Sequence, residues 1–117
     1  MINAFADFGE DGGDILLIGG ESDAAEMYRM KLALDGYRVV TVADIGDATT
    51  HRAGWRPDMV LIDLGPGGGA QLRDLERLRA DPLLVGIPAL LLSTRTEEEL
   101  RQRGVKIGPT DFVLRAG

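Results

Sequence analysis

PDMVLID, at residues 57–63, is followed directly by the glycine-rich stretch LGPGGG at residues 64–69. A continuous apolar run bounded by turn residues is typical of a strand that is buried on both faces, as in parallel sheets. In an open sheet of this kind, the carboxyl ends of the strands form the rim of the ligand crevice. We therefore expect Asp63 to stand at that rim beside a flexible loop, with an ordinary polar strand end as the plainer interpretation.

The rest of the chain alternates strands and helices around this run. Further apolar strands are predicted at residues 14–18, 37–42, 89–93 and 111–115. Helices are predicted between the strands at about residues 22–35, 44–54, 70–80 and 96–103. The first helix has Met27, Met30 and Leu34 on one face, which we expect to be its apolar face. Such alternation indicates an α/β domain, with a parallel sheet and helices on both of its faces.

Length and composition narrow the class of protein. The 117 residues suit one domain, with residues 1–13 as a flexible leader and 14–117 as the folded part. The net charge of -6 argues against nucleic-acid binding by this domain, and the absence of cysteine excludes disulfides and thiolate metal sites. No apolar run approaches membrane-spanning length. Without an export signal or cysteine, we expect a cytoplasmic protein with no membrane partner.

The predicted strand ends collect the candidate site residues. In chain order these are Gly19, Gly20, Glu21, Asp63, Ser93 and Arg115. In a sheet of order 2-1-3-4-5 these ends converge on one crevice. No pair of a base and a nucleophile is apparent among them, so we expect a protein that is not an enzyme.

The chain resembles the receiver (CheY-like) domain of two-component response regulators from Asp14 to Arg115. The resemblance is most specific in RPDMVLIDL at 56–64, LRADP at 78–82, Ile87-Pro88 and residues 108–115. It implies a flavodoxin-like, doubly wound, five-stranded parallel sheet of order 2-1-3-4-5. It also implies a fifth helix, which is missing here or supplied otherwise. We expect a covering partner, a homodimer, or the apolar residues of the leader on that face.

The resemblance also assigns roles to single residues. Asp63 takes the position that accepts a phosphoryl group from a sensor histidine kinase. Ser93 and Phe112 match the switch residues that move on phosphorylation. Arg115 stands where the family has a lysine that pairs with the aspartate. The two acids that hold a divalent cation after the first strand are replaced by one glycine pair, Gly19-Gly20.

These departures change the expected chemistry. Aspartyl phosphoryl transfer depends on Mg²⁺ that neutralises charge, and two glycines supply no ligands for it. Glu21 is a possible residual acid. Arg115 keeps a positive charge but not the geometry of lysine, and it could form a forked pair with Asp63. We predict an impaired cation site that holds no metal and no cofactor. Mg²⁺ would bind only if Asp63 still functions as a phosphoacceptor.

Three functions follow from this sequence. The first is an atypical receiver, or pseudo-receiver, that acts by protein–protein interaction through the surface around the helix at 96–103 and the last strand. Its partner would be a histidine kinase or another signalling protein. The second is a conventional phosphoacceptor receiver that uses Asp63. The third is a small flavodoxin-like module that binds a nucleotide or another anion at Gly19-Gly20 and the loop at residues 65–69.

Overall fold

Five strands form one parallel sheet in the order β2-β1-β3-β4-β5. This computed structural model describes residues 13–19, 22–46, 56–64, 69–82 and 84–115, with the backbone alone at 69–71. The strands are β1 (Asp14–Ile18), β2 (Arg38–Val42), β3 (Met59–Asp63), β4 (Ala89–Ser93) and β5 (Asp111–Arg115). The helices of the described ranges are α1 (Asp23–Leu34), α2 (Gly69–Ala80) and α3 (Glu97–Gln102). The predicted fold class and strand order are confirmed.

β3 and β4 lie inside the sheet, which explains their unbroken apolar sequences. Every residue of both strands is buried. β3 is hydrogen-bonded to β1 on one side and to β4 on the other, so its backbone groups are satisfied within the sheet. Both faces of each strand are covered, so alternation between apolar and polar residues would bury polar groups at a cost. The unbroken apolar run at residues 59–62 is therefore the signature of this central position.

The helices divide the core between the two faces of the sheet. On one face α2 and α3 contribute Leu75, Leu78 and Leu100 to a cluster that includes Val60 of β3. On the other face α1 packs against a cluster that includes Leu61, also of β3. Successive residues of a strand point to opposite faces, so β3 supplies both clusters. No helix in the described ranges is long and apolar enough to span a membrane.

α1 packs on a different face from the predicted one. Met27, Met30 and Leu34 are 59%, 52% and 86% exposed, so their predicted burial is wrong. The residues of α1 that are buried against the sheet are Ala25 and Leu32. They are seven positions apart and so share one face of the helix. The small side chain of Ala25 lets the helix backbone approach the strands closely, which a large side chain would prevent.

Gly13, the last residue of the predicted leader, is packed against the start of the sheet. The carbonyl of Gly13 accepts a hydrogen bond of 2.9 Å from the N–H of Arg38, and Gly13 is buried. A Cβ at this position would lie 2.7 Å from the carboxylate of Asp58, which itself accepts a 2.8 Å hydrogen bond from the N–H of Asp14. Gly13 is therefore fixed by the backbone of β2 and the side chain of Asp58 next to β1. Residues 1–12 of the predicted leader at 1–13, and most of the predicted helix at 44–54, lie outside the described residues.

Candidate functional site

The register of the sheet brings three of the predicted site residues to the same edge. Asp63 ends β3, Ser93 ends β4 and Arg115 ends β5, and these three strands are neighbours. Asp63 lies opposite Leu92, and Ser93 lies opposite Arg115. Because the strands are parallel, the three side chains share the carboxyl rim of the sheet. Gly19, which follows β1, stands at the same rim.

Asp63 is a buried carboxylate. Its exposed fraction is 6%, and the preceding residue, Ile62, is fully buried. The backbone immediately after it is held in place, since the N–H of Leu64 donates a 2.9 Å hydrogen bond to the carbonyl of Leu92. Asp63 is the one charged residue of β3, whose other four residues are apolar and buried. A carboxylate is costly to remove from water unless its charge is compensated, so its presence at this strand end is notable.

Ser93 joins the end of β4 to the start of α3. It is 3% exposed, and its Oγ accepts a 2.9 Å hydrogen bond from the N–H of Arg95. α3 then begins with a capping box: Thr96 accepts from the N–H of Glu99, and the Glu99 carboxylate accepts from the N–H of Thr96. This capping box confirms the predicted start of the helix. A displacement of the Ser93 hydroxyl would act directly on the turn that starts α3.

The other two candidates lie on β5, an edge strand. Phe112 is half-buried against the cluster on the α1 face. Arg115 is exposed, and within the described residues no ion pair joins it to Asp63. β4 separates the strands of these two residues, which places them about 10 Å apart along the hydrogen-bonding direction. The expected forked pair between Arg115 and Asp63 is therefore not formed in this structure.

A shallow groove of about 230 Å³ lies between the start of α3 and β5. It is lined by Arg95, Thr96, Glu97, Phe112, Val113 and Arg115, together with Asp111. The lining combines an aromatic ring, guanidinium groups and carboxylates. Aromatic and arginine side chains are the groups most often found at the centre of protein interfaces. The groove coincides with the surface that the sequence predicted for partner binding.

The described residues do not fit a Mg²⁺ site at this rim. Mg²⁺ in phosphoryl-transfer sites is held by carboxylates together with phosphate oxygens and waters. Gly19 has no side chain to offer; its φ is 100°, and its N–H donates a 2.9 Å hydrogen bond to the carbonyl of Val42. In the parts of the chain that the structure describes, no three acidic, histidine or cysteine side chains form a group able to hold a metal. Gly20 and Glu21 lie outside those parts, as does the loop at 65–68.

Sequence reasoning missed two buried polar links. Asp74 of α2 is 4% exposed and accepts a 3.1 Å hydrogen bond from the N–H of Ile45. Burial raises the pKa of the Asp74 carboxyl, and the hydrogen bond from Ile45 acts in the opposite direction. Arg79 of α2 forms an ion pair with Asp111, which also accepts a 2.8 Å hydrogen bond from the N–H of Gly108. Both links join residues that are distant in sequence, so local patterns gave no signal for them.

No protein-family model matches the chain. The chain is 29% identical over 101 residues to the phosphate regulon transcriptional regulatory protein PhoB of Escherichia coli K12, covering 86% of the chain and 44% of that protein. It is 31% identical over 101 residues to the probable transcriptional regulatory protein TcrX of Mycobacterium tuberculosis, covering 86% of the chain and 42% of that protein. The chain thus spans less than half the length of these curated relatives.

A solved structure of similar size matches over most of its length. It is the N-terminal domain of a response regulator receiver protein from Methanoculleus marisnigri JR1. The TM-score is 0.63 at 27% identity, and the match covers 88% of the chain and 84% of that domain. This match supports the same fold as the strand order of the sheet.

Proposed function

Since the chain is a receiver domain of the kind found in two-component response regulators, we propose that it is an atypical receiver. It transmits a signal through contact with another protein and does not depend on Mg²⁺-assisted phosphorylation of Asp63. The observation that carries this proposal is the glycine at the end of β1. Gly19 stands at the rim where the resemblance requires an acidic ligand, and Gly20 has no side chain either.

Charge explains why this substitution matters. A phosphoryl group on Asp63 would add negative charge to a carboxylate that is already buried. Mg²⁺ normally offsets that charge by bridging phosphate oxygens and carboxylates. With glycine in place of the acids, the cation loses ligands that would hold it there. Arg115 retains a positive charge at the rim, but it lies on the far side of β4 from Asp63.

We propose the groove between α3 and β5 as the contact surface for the protein partner. Its aromatic ring and paired charges suit a polar protein interface. The partner would be a sensor histidine kinase or another signalling protein, and a second copy of the chain is a further candidate. The net charge of -6 argues against nucleic acid as the partner of this domain. We expect the protein to act in the cytoplasm.

The test is incubation with acetyl phosphate and Mg²⁺, followed by measurement of intact mass. The atypical receiver is expected to incorporate no phosphoryl group, as will Asp63→Asn, the matched control. The double variant Gly19→Asp/Gly20→Asp restores the acidic pair and is expected to gain Mg²⁺ binding in titrations. Incorporation by the unmodified chain, lost in Asp63→Asn, would overturn the proposal.

That same outcome would establish the second candidate, a conventional phosphoacceptor. The burial of Asp63 and Ser93 at adjacent strand ends supports it, because a conventional receiver would need a carboxylate and a hydroxyl near each other at this rim. Saturable Mg²⁺ binding at millimolar concentration, abolished by Asp63→Asn, would point the same way. Binding of a nucleotide or another anion at the glycine loop stays a prediction, since residues 65–68 lie outside the described parts.

A further inference from the structure

A second cavity lies away from the strand ends, between α2 and the chain that follows α3. Its volume is about 350 Å³, within the range of pockets that hold small molecules. Leu72, Leu75 and Val105 form its apolar surface. Its charged groups are Glu76, Arg103 and Lys106, together with Arg79, which is paired with Asp111. None of these residues belongs to the site around Asp63. A ligand in this cavity would therefore be independent of the chemistry of the phosphoacceptor position.

The backbone at the mouth of the cavity leaves it open. Gly104 lines the cavity and has a φ of 88°, a conformation that favours glycine. A Cβ at Gly104 would meet nothing within 4 Å. The floor beneath is formed by well-packed residues, since Leu75 is 4% exposed and Val105 is 8% exposed. The cavity thus has a firm apolar floor and an unobstructed entrance.

Its charged groups are available to a ligand. Arg103 and Lys106 are exposed, and neither forms an ion pair with another residue in the described ranges. Arg101, two residues before Arg103, is instead paired with Glu97. Two unpaired cations beside apolar side chains are unexpected on a chain with a net charge of -6. A negatively charged ligand with an apolar body would satisfy both features at once.

We propose that this cavity binds a small amphipathic anion. Its carboxylate, sulfonate or phosphate group would lie between Arg103 and Lys106, and its apolar body would lie on Leu72, Leu75 and Val105. Glu76, which α2 contributes to the lining, would repel a second negative group and so favour ligands with one anionic end. The cations hold the ligand by charge, and the apolar floor contributes through the area that it removes from water.

The test uses 8-anilinonaphthalene-1-sulfonate, whose fluorescence rises on transfer to an apolar site, titrated into the full chain. The double variant Arg103→Gln/Lys106→Gln is expected to weaken binding about tenfold, because each exposed cation contributes roughly threefold. The matched control is Arg38→Gln/Arg101→Gln, which makes the same change in net charge away from the cavity and should stay within about twofold. Glu76→Gln is expected to strengthen binding about twofold, because it removes a repulsive charge.

Two further measurements locate the site and test the charge requirement. In ¹H–¹⁵N spectra the largest shifts on titration should fall on the amides of Gly104 and Val105. N-phenyl-1-naphthylamine, which has a similar body but no sulfonate, should bind more weakly. Thermal unfolding by circular dichroism verifies that the variants, all at exposed positions, remain folded. Equal loss in the two double variants, equal binding of the neutral probe, or no saturable binding would each overturn the proposal.

Discussion

Replacing Arg79 by methionine should lower the stability of the domain well beyond the effect of removing an exposed arginine. The guanidinium of Arg79 pairs with Asp111 and so ties α2 to β5. The side chain of Asp111 is 6% exposed and that of Arg79 is 33% exposed. Methionine retains the apolar stem of the arginine, so the change removes mainly the charge. The Asp111 carboxylate would then stay buried without its cation.

The stability expected to be lost in Arg79→Met lies between two known limits. Exposed ion pairs contribute about 0–1 kcal/mol, whereas removing one partner of a fully buried pair costs about 3–5 kcal/mol. Here one partner is buried and the other is partly solvated, so we expect a loss of about 2 kcal/mol. At about 4 °C for each kcal/mol in a domain of this size, the melting temperature should fall by about 8 °C.

Arg101→Met is the matched control. Arg101 pairs with Glu97 one helical turn away, and their side chains are 54% and 53% exposed. Its loss should cost no more than about 0.5 kcal/mol, or about 2 °C. Thermal and urea unfolding at neutral pH, followed by circular dichroism, measures both variants. Adding Asp111→Asn to Arg79→Met should recover part of the loss. Equal losses in the two methionine variants would refute the reasoning.

Two other links give predictions of their own. Asp74→Asn keeps an acceptor for the N–H of Ile45 and removes a buried charge, so stability at pH 7 should equal or exceed that of the unmodified chain. Burial raises the pKa of the Asp74 carboxyl. The contribution of Asp74 to the free energy of unfolding is therefore fully present below the ordinary carboxyl pKa and is lost as the pH rises through the raised value. Urea midpoints measured as a function of pH should not show this loss in Asp74→Asn. Asp74→Ala leaves the N–H of Ile45 without its acceptor and should cost about 1–3 kcal/mol; a cost equal to that of Asp74→Asn would contradict this. Thr96→Ala removes the cap of α3 and should cost about 1 kcal/mol in thermal unfolding, with most of the loss restored by Thr96→Ser, and no loss in the alanine variant would exclude a role for the cap.

The sheet was predictable from the sequence because its central strands have little choice of residue. β3 and β4 are buried on both faces, so an unbroken apolar run is the pattern that fits them. The packing of α1 was not predictable in the same way. Met27 and Ala25 both belong to apolar stripes of the helix, and periodicity alone does not say which stripe meets the sheet. Close approach of the helix backbone selects Ala25, a choice that depends on tertiary geometry.

For the candidate site, too, the sequence predicted some features and not others. Parallel strands place their carboxyl ends at one edge, so the sequence predicted that Asp63, Ser93 and Arg115 share a rim. The predicted strand order also places β4 between Asp63 and Arg115, a separation that the suggested forked pair did not take into account. Arg79 and Asp111 are 32 positions apart. Neither residue has a local sequence pattern that distinguishes it from an ordinary surface charge, so their pairing could not be predicted. Local patterns identify strand ends, whereas the partners of buried charges depend on the assembled fold.

The backbone at the end of β1 bears on how an acidic pocket could be lost or regained. Gly19 has a φ of 100°, and its N–H is held by the carbonyl of Val42. An aspartate in this conformation would be strained by about 1–2 kcal/mol, because its Cβ would crowd the backbone. Gly19→Asp/Gly20→Asp therefore carries this strain at position 19, which should make the Mg²⁺ binding that it gains weaker than that of an unstrained acidic pair. The turn thus suits glycine in its backbone conformation as well as in its missing side chain, and this supports the proposal that no cation is held at this rim.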